Sequence, residues 1–447
     1  MKDLKFLFVP VLMALLLFNL SSQENQDKNE QNQMIIEKPQ NQNSDENLNS
    51  YEKIKSQVSS GLTVTKINFS GLKKTKNFYI QSKVKKFLGV SAEEFDLHAL
   101  ETTLQLENLF DDIQISMENS GAGEASVEVS VKEKITFIPL PFAMYSDSGF
   151  MGGLMVMDTN AFGVKDMFVF GGLYSKSSVM GMAVFSKPPK DNGIPGFSVS
   201  LSTSKNTSKI ENLDKDEVLE YKSTNLNSRF MLTEKIGELN LFSFGGFFNS
   251  VSAKRSDDFP EIDSIKSAGF SAGWSVSKSD WNGWFLSSSG AGVSTDAVLY
   301  ADKSDYKNGC SLSVDFHIQK PVFSRARFYS AGSAFYGKDL HISSRAGGKS
   351  GSVAILPGNF RTEEIAGGSA GLEFAIAKGK IGTVSVYGDY QIVSTQDYDD
   401  EFYFMHGPNG GFKVYLAKIA FPALSMGFSY NVTKRYANFA AALGISM

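Results

Sequence analysis

The sequence predicts a mainly β protein: a 16-stranded transmembrane β-barrel over residues 136–447, preceded by one small α+β domain of order β-α-α-β-β over residues 61–135. Three observations lead there. The chain of 447 residues carries 40 Gly and 36 Phe but one Cys and a formal charge of −4. Its hydrophobic period changes from helical spacing to strict alternation near Thr136 and stays alternating to the end. Beyond residue 22 no apolar run is long enough for a spanning helix. So aromatic a composition excludes a charged, disordered chain, a lone Cys310 excludes a disulfide scaffold, and the absence of a basic field excludes nucleic acid as a partner.

At the N-terminus, Lys2 and Lys5 precede the apolar run Phe6 to Leu20, and Ser21 and Ser22 follow, so residues 1–22 read as a secretory signal peptide, with an uncleaved anchor as the alternative. Residues 23–60 are dominated by Gln, Asn, Glu and Ser and offer little apolar surface; they read as a disordered spacer.

The α+β segment begins with a strand at Leu62 to Phe69. Ile80, Val84, Phe87 and Leu88 then share one helix face that Gly89 ends, and Asp96 caps a second helix through Leu97, Leu100 and Leu104. Two alternating strands follow, Ile113, Ile115 and Met117, then Val127, Val129 and Val131. The first of these, Ile113, Gln114, Ile115, Ser116 and Met117, is expected at the sheet edge, where unpaired N–H and C=O groups could take an extended client by strand addition.

From Thr136 onward the segments alternate. Cys310, Leu312, Val314, Phe316 and Ile318 face one way and Ser311, Ser313, Asp315, His317 and Gln319 the other; Leu424 to Val432 repeats the pattern. Small Ser, Gly and Asn on the polar face suit a barrel interior with lipid outside, whereas a soluble β-sandwich would carry more Lys and Glu there. About 16 such segments run from Phe137 to the one that starts at Tyr436, with short connections (Lys320 to Ser324, Lys378 to Ile381) alternating with long ones (Ser204 to Glu220, Lys338 to Gly367, Ser394 to Gly410). The α+β domain enters from the short-turn side. Pro139 and Pro141 in the first strand and Ala440, Ala441, Ala442 and Gly444 in the last mark a weak seam between them.

Enzymatic chemistry is not expected. Gly269 to Gly273 and Gly367 to Gly371 both read G-x-S-x-G, but neither lies at a strand-to-helix turn, and a barrel rich in Gly and Ser generates the pattern by chance. His98, His317, His341 and His406 lack metal-ligand spacing, so neither metal nor cofactor is expected.

The segments V-T-K-I-N-F-S-G (Val64 to Gly71), F-D-L-H-A-L (Phe95 to Leu100), L-E-N-L-F-D-D-I-Q-I (Leu106 to Ile115) and V-E-V-S-V-K-E (Val127 to Glu133) resemble a POTRA (polypeptide-transport-associated) domain. Asp158 to Gly163, D-T-N-A-F-G, is similar to a turn that follows the second barrel strand in the BamA-like superfamily of outer-membrane assembly factors, two-partner-secretion transporters and bacterial surface antigens. That family's long loop between strands eleven and twelve matches the connection here that contains L-P-G-N-F-R, Leu356 to Arg361. Pro357 stands at the place of the family's arginine, and Arg361 lies four residues later; the single POTRA is a second departure.

The resemblance implies a protein of the bacterial outer membrane, its POTRA in the periplasm, that inserts outer-membrane proteins or translocates polypeptides. The alternative is a passive pore or a surface adhesin. Implied partners are unfolded outer-membrane or secreted polypeptides, the lipid bilayer, and periplasmic chaperones or accessory lipoproteins. A lumen loop of Leu356, Gly358, Asn359, Phe360 and Arg361 would be locked by Arg361 pairing with Glu373 or Asp389, which parity turns inward; the plain alternative is that both acids are ordinary interior polars.

Overall fold

The computed structural model describes residues 61–447 except 122, 147–148, 190–192, 238, 256–258, 260–261, 282–285, 302–307, 349, 351, 380–381, 417–421 and 444–447. The expected signal peptide (1–22) and spacer (23–60) lie outside the described residues. The described chain divides into two compact units, one of residues 61–138 and 157–168, the other of 139–156 and 169–443.

In the first unit, β1 (Thr63–Ser70), α1 (Asn77–Val84), α2 (Leu97–Leu106), β2 (Phe110–Gly121) and β3 (Glu124–Glu133) build a three-stranded sheet of order β1-β3-β2. β1 runs parallel to β3 and β2 antiparallel to it. Ile80, Val84, Leu97, Leu100 and Leu104 are buried with Val64, Ile67, Val127, Val129 and Val131 in one core. Asp96 caps α2 by accepting the Ala99 N–H at 2.9 Å. The first helix is shorter than its periodicity suggests: it ends at Val84, one 3-10 turn follows, and Gly89 turns the chain with φ of 83°. The Asp158 to Gly163 segment earns its composition locally. Asn160 donates to Thr75 Oγ1 at 3.0 Å, the Gly163 carbonyl accepts the Lys76 N–H at 2.8 Å, and a Cβ on Gly163 would fall 2.2 Å from the Lys74 carbonyl oxygen.

The second unit is a closed barrel. Its strands are β4 (Phe137–Ser146), β5 (Gly149–Asp158), β6 (Met167–Ser175), β7 (Ser178–Lys187), β8 (Gly196–Glu211), β9 (Glu217–Ile236), β10 (Asn240–Arg255), β11 (Ile265–Trp281), β12 (Leu286–Tyr300), β13 (Gly309–Phe323), β14 (Ala326–Lys338), β17 (Glu364–Lys378), β18 (Gly382–Gln396), β19 (Phe402–Leu416), β20 (Pro422–Asn431) and β21 (Tyr436–Leu443). Each is hydrogen-bonded to its sequence neighbour, and β21 returns to β4, which makes 16 strands among the described residues. The two-residue strands β15 (Ala346–Gly347) and β16 (Arg361–Thr362) pair with each other inside the β14–β17 connection.

Alternation decides inside from outside. Leu372, Phe374 and Ile376 are exposed on the outer wall while Glu373 between them is buried; on β18, Val384, Val386 and Ile392 are exposed while Ser385, Gln391 and Val393 are buried. Two expected loops are largely strand. The segment expected as a loop from Ser204 to Glu220 is ladder except at 212–216, and that from Ser394 to Gly410 is ladder except at 397–401. In the first, backbone pairing continues where both faces become mostly polar, so the hydrophobic period fades before the hydrogen bonds do; in the second, Phe402, Phe404 and Met405 still alternate outward and inward. Both G-x-S-x-G segments sit within strands, on β11 and β17, and no helix among the described residues is long and apolar enough to cross a membrane.

Candidate functional site

The connection from β14 to β17 folds into the barrel interior. Ala346, Val353, Ile355, Leu356 and Phe360 from the connection are buried against Ile365, Val393 and Met405 of the wall and Leu213. Loop polarity is satisfied by the wall. Gln391 Oε1 accepts the Ala354 N–H at 2.6 Å. Ser429 Oγ donates to the Ala354 carbonyl at 2.6 Å, Asn431 Nδ2 to that of Ile355 at 3.1 Å, and Asn438 Nδ2 to those of Ala354 and Leu356 at 2.8 and 2.9 Å. A buried carbonyl left without a donor costs about 1–3 kcal/mol, so these amides hold the loop in place. Gly348 is required at the crossing, since a Cβ there would meet the Pro357 carbonyl oxygen.

Of the expected lumen residues, Leu356 and Phe360 are buried, Asn359 is half-buried and Gly358 is exposed. The expected lock is corrected. Arg361 pairs through its backbone with Gly347, and its guanidinium donates to the Phe360 carbonyl at 2.7 Å. Glu373 is occupied by Arg327 of β14, its direct cross-strand partner, whose Nη2 and Nε donate to Oε2 at 2.7 and 3.1 Å. Tyr415 donates to Glu373 Oε1 at 2.8 Å, Ser385 donates to the same oxygen, and Lys413 Nζ lies 3.8 Å from Oε2. Asp389 forms a neighbouring layer, accepting from Tyr329 at 2.7 Å and from Gln391 and Asn409 at 2.8 Å each.

The arginine therefore comes from the wall and not the loop. An inward arginine two residues after the short turn of β13 and β14 was the sequence signal, but only the register brings it opposite Glu373. Asn431 and Asn438 gave no signal of their own; carbonyl recognition carries no side-chain pattern.

β8 and β9 pair from Gly196–Thr233 to Glu211–Glu217, whereas β21 and β4 pair, among the described residues, at Ala441–Tyr145, Ala442–Met144 and Leu443–Ala143. Phe439 packs outside this seam, its ring centroid 6.1 Å from that of Tyr145 and 4.6 Å from that of Phe428. Pro139 and Pro141 lie earlier on β4 and have no N–H to give.

In the first unit, Ile113, Gln114, Ile115, Ser116 and Met117 lie on β2, an edge of the sheet. Met117 is buried, Ile113 and Ile115 are half-buried, and Gln114 and Ser116 are exposed. The other edge, β1, is partly covered: Val64 donates to the Val90 carbonyl and accepts from Gly89 through its own, and Ala92 donates to Leu62.

No protein-family model and no curated protein sequence matches the chain. Solved structures do. BamA from Haemophilus ducreyi lacking POTRA domains 1–3 superposes with a TM-score of 0.60 at 14% identity, over 86% of this chain and 85% of that one. CdiB from Escherichia coli gives 0.60 at 15% identity (86% and 77% covered), and CdiB from Acinetobacter baumannii 0.59 at 13% (86% and 74%). At such identities the likeness is one of architecture: this chain is built on the BamA-like barrel fold.

Proposed function

We propose that the protein is an outer-membrane barrel that inserts or exports polypeptides by opening between β21 and β4, without enzymatic chemistry. The observation that carries this reading is the contrast between a loop packed inside the barrel and a seam whose described pairs are few and flanked by prolines and alanines. The Phe360 cluster and the Arg327–Glu373 layer occupy the interior, which disfavours a passive pore, while among the described residues the first and last strands pair at three positions. Exposed rings such as Phe244, Phe270, Phe404 and Phe428 give the exterior the apolar surface that acyl chains require.

The first unit then acts as a periplasmic POTRA domain. β2 is the less covered edge, and each backbone bond it offers is worth only about 0.5–1.5 kcal/mol net, so capture is transient and tolerant of sequence. Unfolded outer-membrane or secreted polypeptides are the clients; chaperones or lipoproteins that deliver them are partners of the same step.

The test replaces Cys310 by Ser and introduces a cysteine pair, Met144→Cys with Ala442→Cys, at register partners across the seam. Oxidation is expected to stop client assembly and reduction to restore it. Full assembly by the crosslinked protein would end the seam proposal. Crosslinking from Gln114→Cys or Ser116→Cys during growth would identify the clients.

A further inference from the structure

The tip of the β8–β9 hairpin is tied to residues more than 180 positions away. Asn212 Oδ1 accepts the backbone N–H groups of Asp214 (3.0 Å) and Asp216 (2.9 Å), Lys215 donates its N–H to the Asn212 carbonyl (3.1 Å), and Lys215 adopts φ of 69°. A turn bonded this way holds its side chains in set directions. Leu213 is fully buried against the Phe360 cluster, and its N–H donates to Asp397 Oδ2 at 3.3 Å. The Asp214 carboxylate accepts from Lys434 Nζ through both oxygens, at 2.9 and 2.8 Å. Lys215 Nζ donates to the Ala437 carbonyl at 3.3 Å and lies 4.6 Å from the centroid of the Tyr436 ring. Glu211 and Phe360 also form a backbone bridge.

These contacts join three things that barrel closure alone does not require to meet. β8 and β9 are the fifth and sixth strands of the wall; Lys434 lies in the turn between β20 and β21, and Tyr436 and Ala437 start β21, the strand at the seam. The ladder between β8 and β9 is complete without them, reaching Ile210–Leu219 and Glu211–Glu217.

We infer that residues 212–216 are a latch: Asp214 and Lys215 pin the β20–β21 hairpin while Leu213 seats the lumen loop, so that β21 leaves β4 only after the tip lets go. The inference rests on the seam reading in taking β21 as the strand that moves. Its test, however, uses the purified full chain with no client, so a failure to handle clients leaves it standing.

The readout is amide hydrogen exchange over residues 432–443, with β10 and β11 as the internal reference. Asp214→Lys and Lys434→Asp are each expected to speed exchange there about two- to fivefold, the range for a partly exposed ion pair, and leave β10 and β11 unchanged. The double reversal, Asp214→Lys with Lys434→Asp, restores the native rate, and a disulfide between Asp214→Cys and Lys434→Cys in a Cys310→Ser background slows exchange below it. Unchanged rates in both single variants, equal acceleration in β10 and β11, or a double reversal as fast as the singles would overturn the latch.

Discussion

Two arcs of one barrel wall are built to different standards. Among the described residues, β4 to β7, β20 and β21 are 8 to 10 residues long, while β8 to β14 and β17 to β19 run from 13 to 20. About 9–11 tilted residues suffice to cross a bilayer core, so the long arc continues beyond it. The long arc also supplies the buried charge layer and the apolar wall residues Ile365, Val393 and Met405, while Ser429, Asn431 and Asn438 of the short arc hydrogen-bond the lumen loop. The short arc ends in alanines and prolines. A closed cylinder thus need not be uniformly stable; the arcs differ in how much pairing and side-chain burial supports each strand.

The largest expected effect tests the long arc. Arg327→Met leaves the buried Glu373 without its hydrogen-bonded counter-charge, and breaking such a pair costs up to about 3–5 kcal/mol, less whatever Lys413 at 3.8 Å offsets. Denaturant unfolding of the purified barrel should register that loss, and Arg327→Met with Glu373→Gln should recover much of it. If the single variant unfolds like the native protein, the charge layer is not what stiffens this arc.

Asn431→Ala is next. Asn431 is fully buried and donates to the Ile355 carbonyl, so its removal is expected to cost about 1–3 kcal/mol and to expose 345–362 to protease while the wall stays intact. Equal protease resistance would mean that the apolar cluster alone seats the loop.

Phe439→Ala probes the short arc. It removes two aromatic contacts of about 0.5–1.5 kcal/mol each. The expected result is faster amide exchange in β21 and unchanged exchange in β10; an effect spread over both would erase the distinction between the arcs.

The smallest effect depends on pH. Burial pushes the His341 imidazole below its ordinary pKa, Arg345 adds to this, and Asp263 opposes it. A group that protonates less readily when folded contributes fully above its unfolded pKa of about 6.5 and progressively less as pH falls below that. Protease cleavage of 339–345 should therefore rise from pH 7 to pH 5, and His341→Gln should flatten the change. A native profile that is already flat would exclude this histidine as the cause.

Strict alternation made the wall readable. Leu372, Phe374 and Ile376 point outward and Glu373 inward because successive side chains of a strand must oppose each other, and no tertiary information is needed to say so. The same logic located the first and last strands to within a few residues; the inward loop of the eleventh connection was implied by the family resemblance and not by period. That logic failed at Ser204 to Glu220, where an expected loop is two long strands and a five-residue tip at 212–216, because backbone pairing there continues past the end of the hydrophobic alternation. It failed also at Arg361, whose charge and loop position suggested a lock that Arg327 already fills.

What the amino-acid order settled unaided is everything governed by local period: strand against helix, inside against outside, the cap at Asp96, the glycine after the first helix. Which partners meet was decided only by closure. Register is a property of two strands and not of one, so Arg327 opposite Glu373, Asn438 beneath the Leu356 carbonyl and Asp214 against Lys434 exist only once the cylinder has formed.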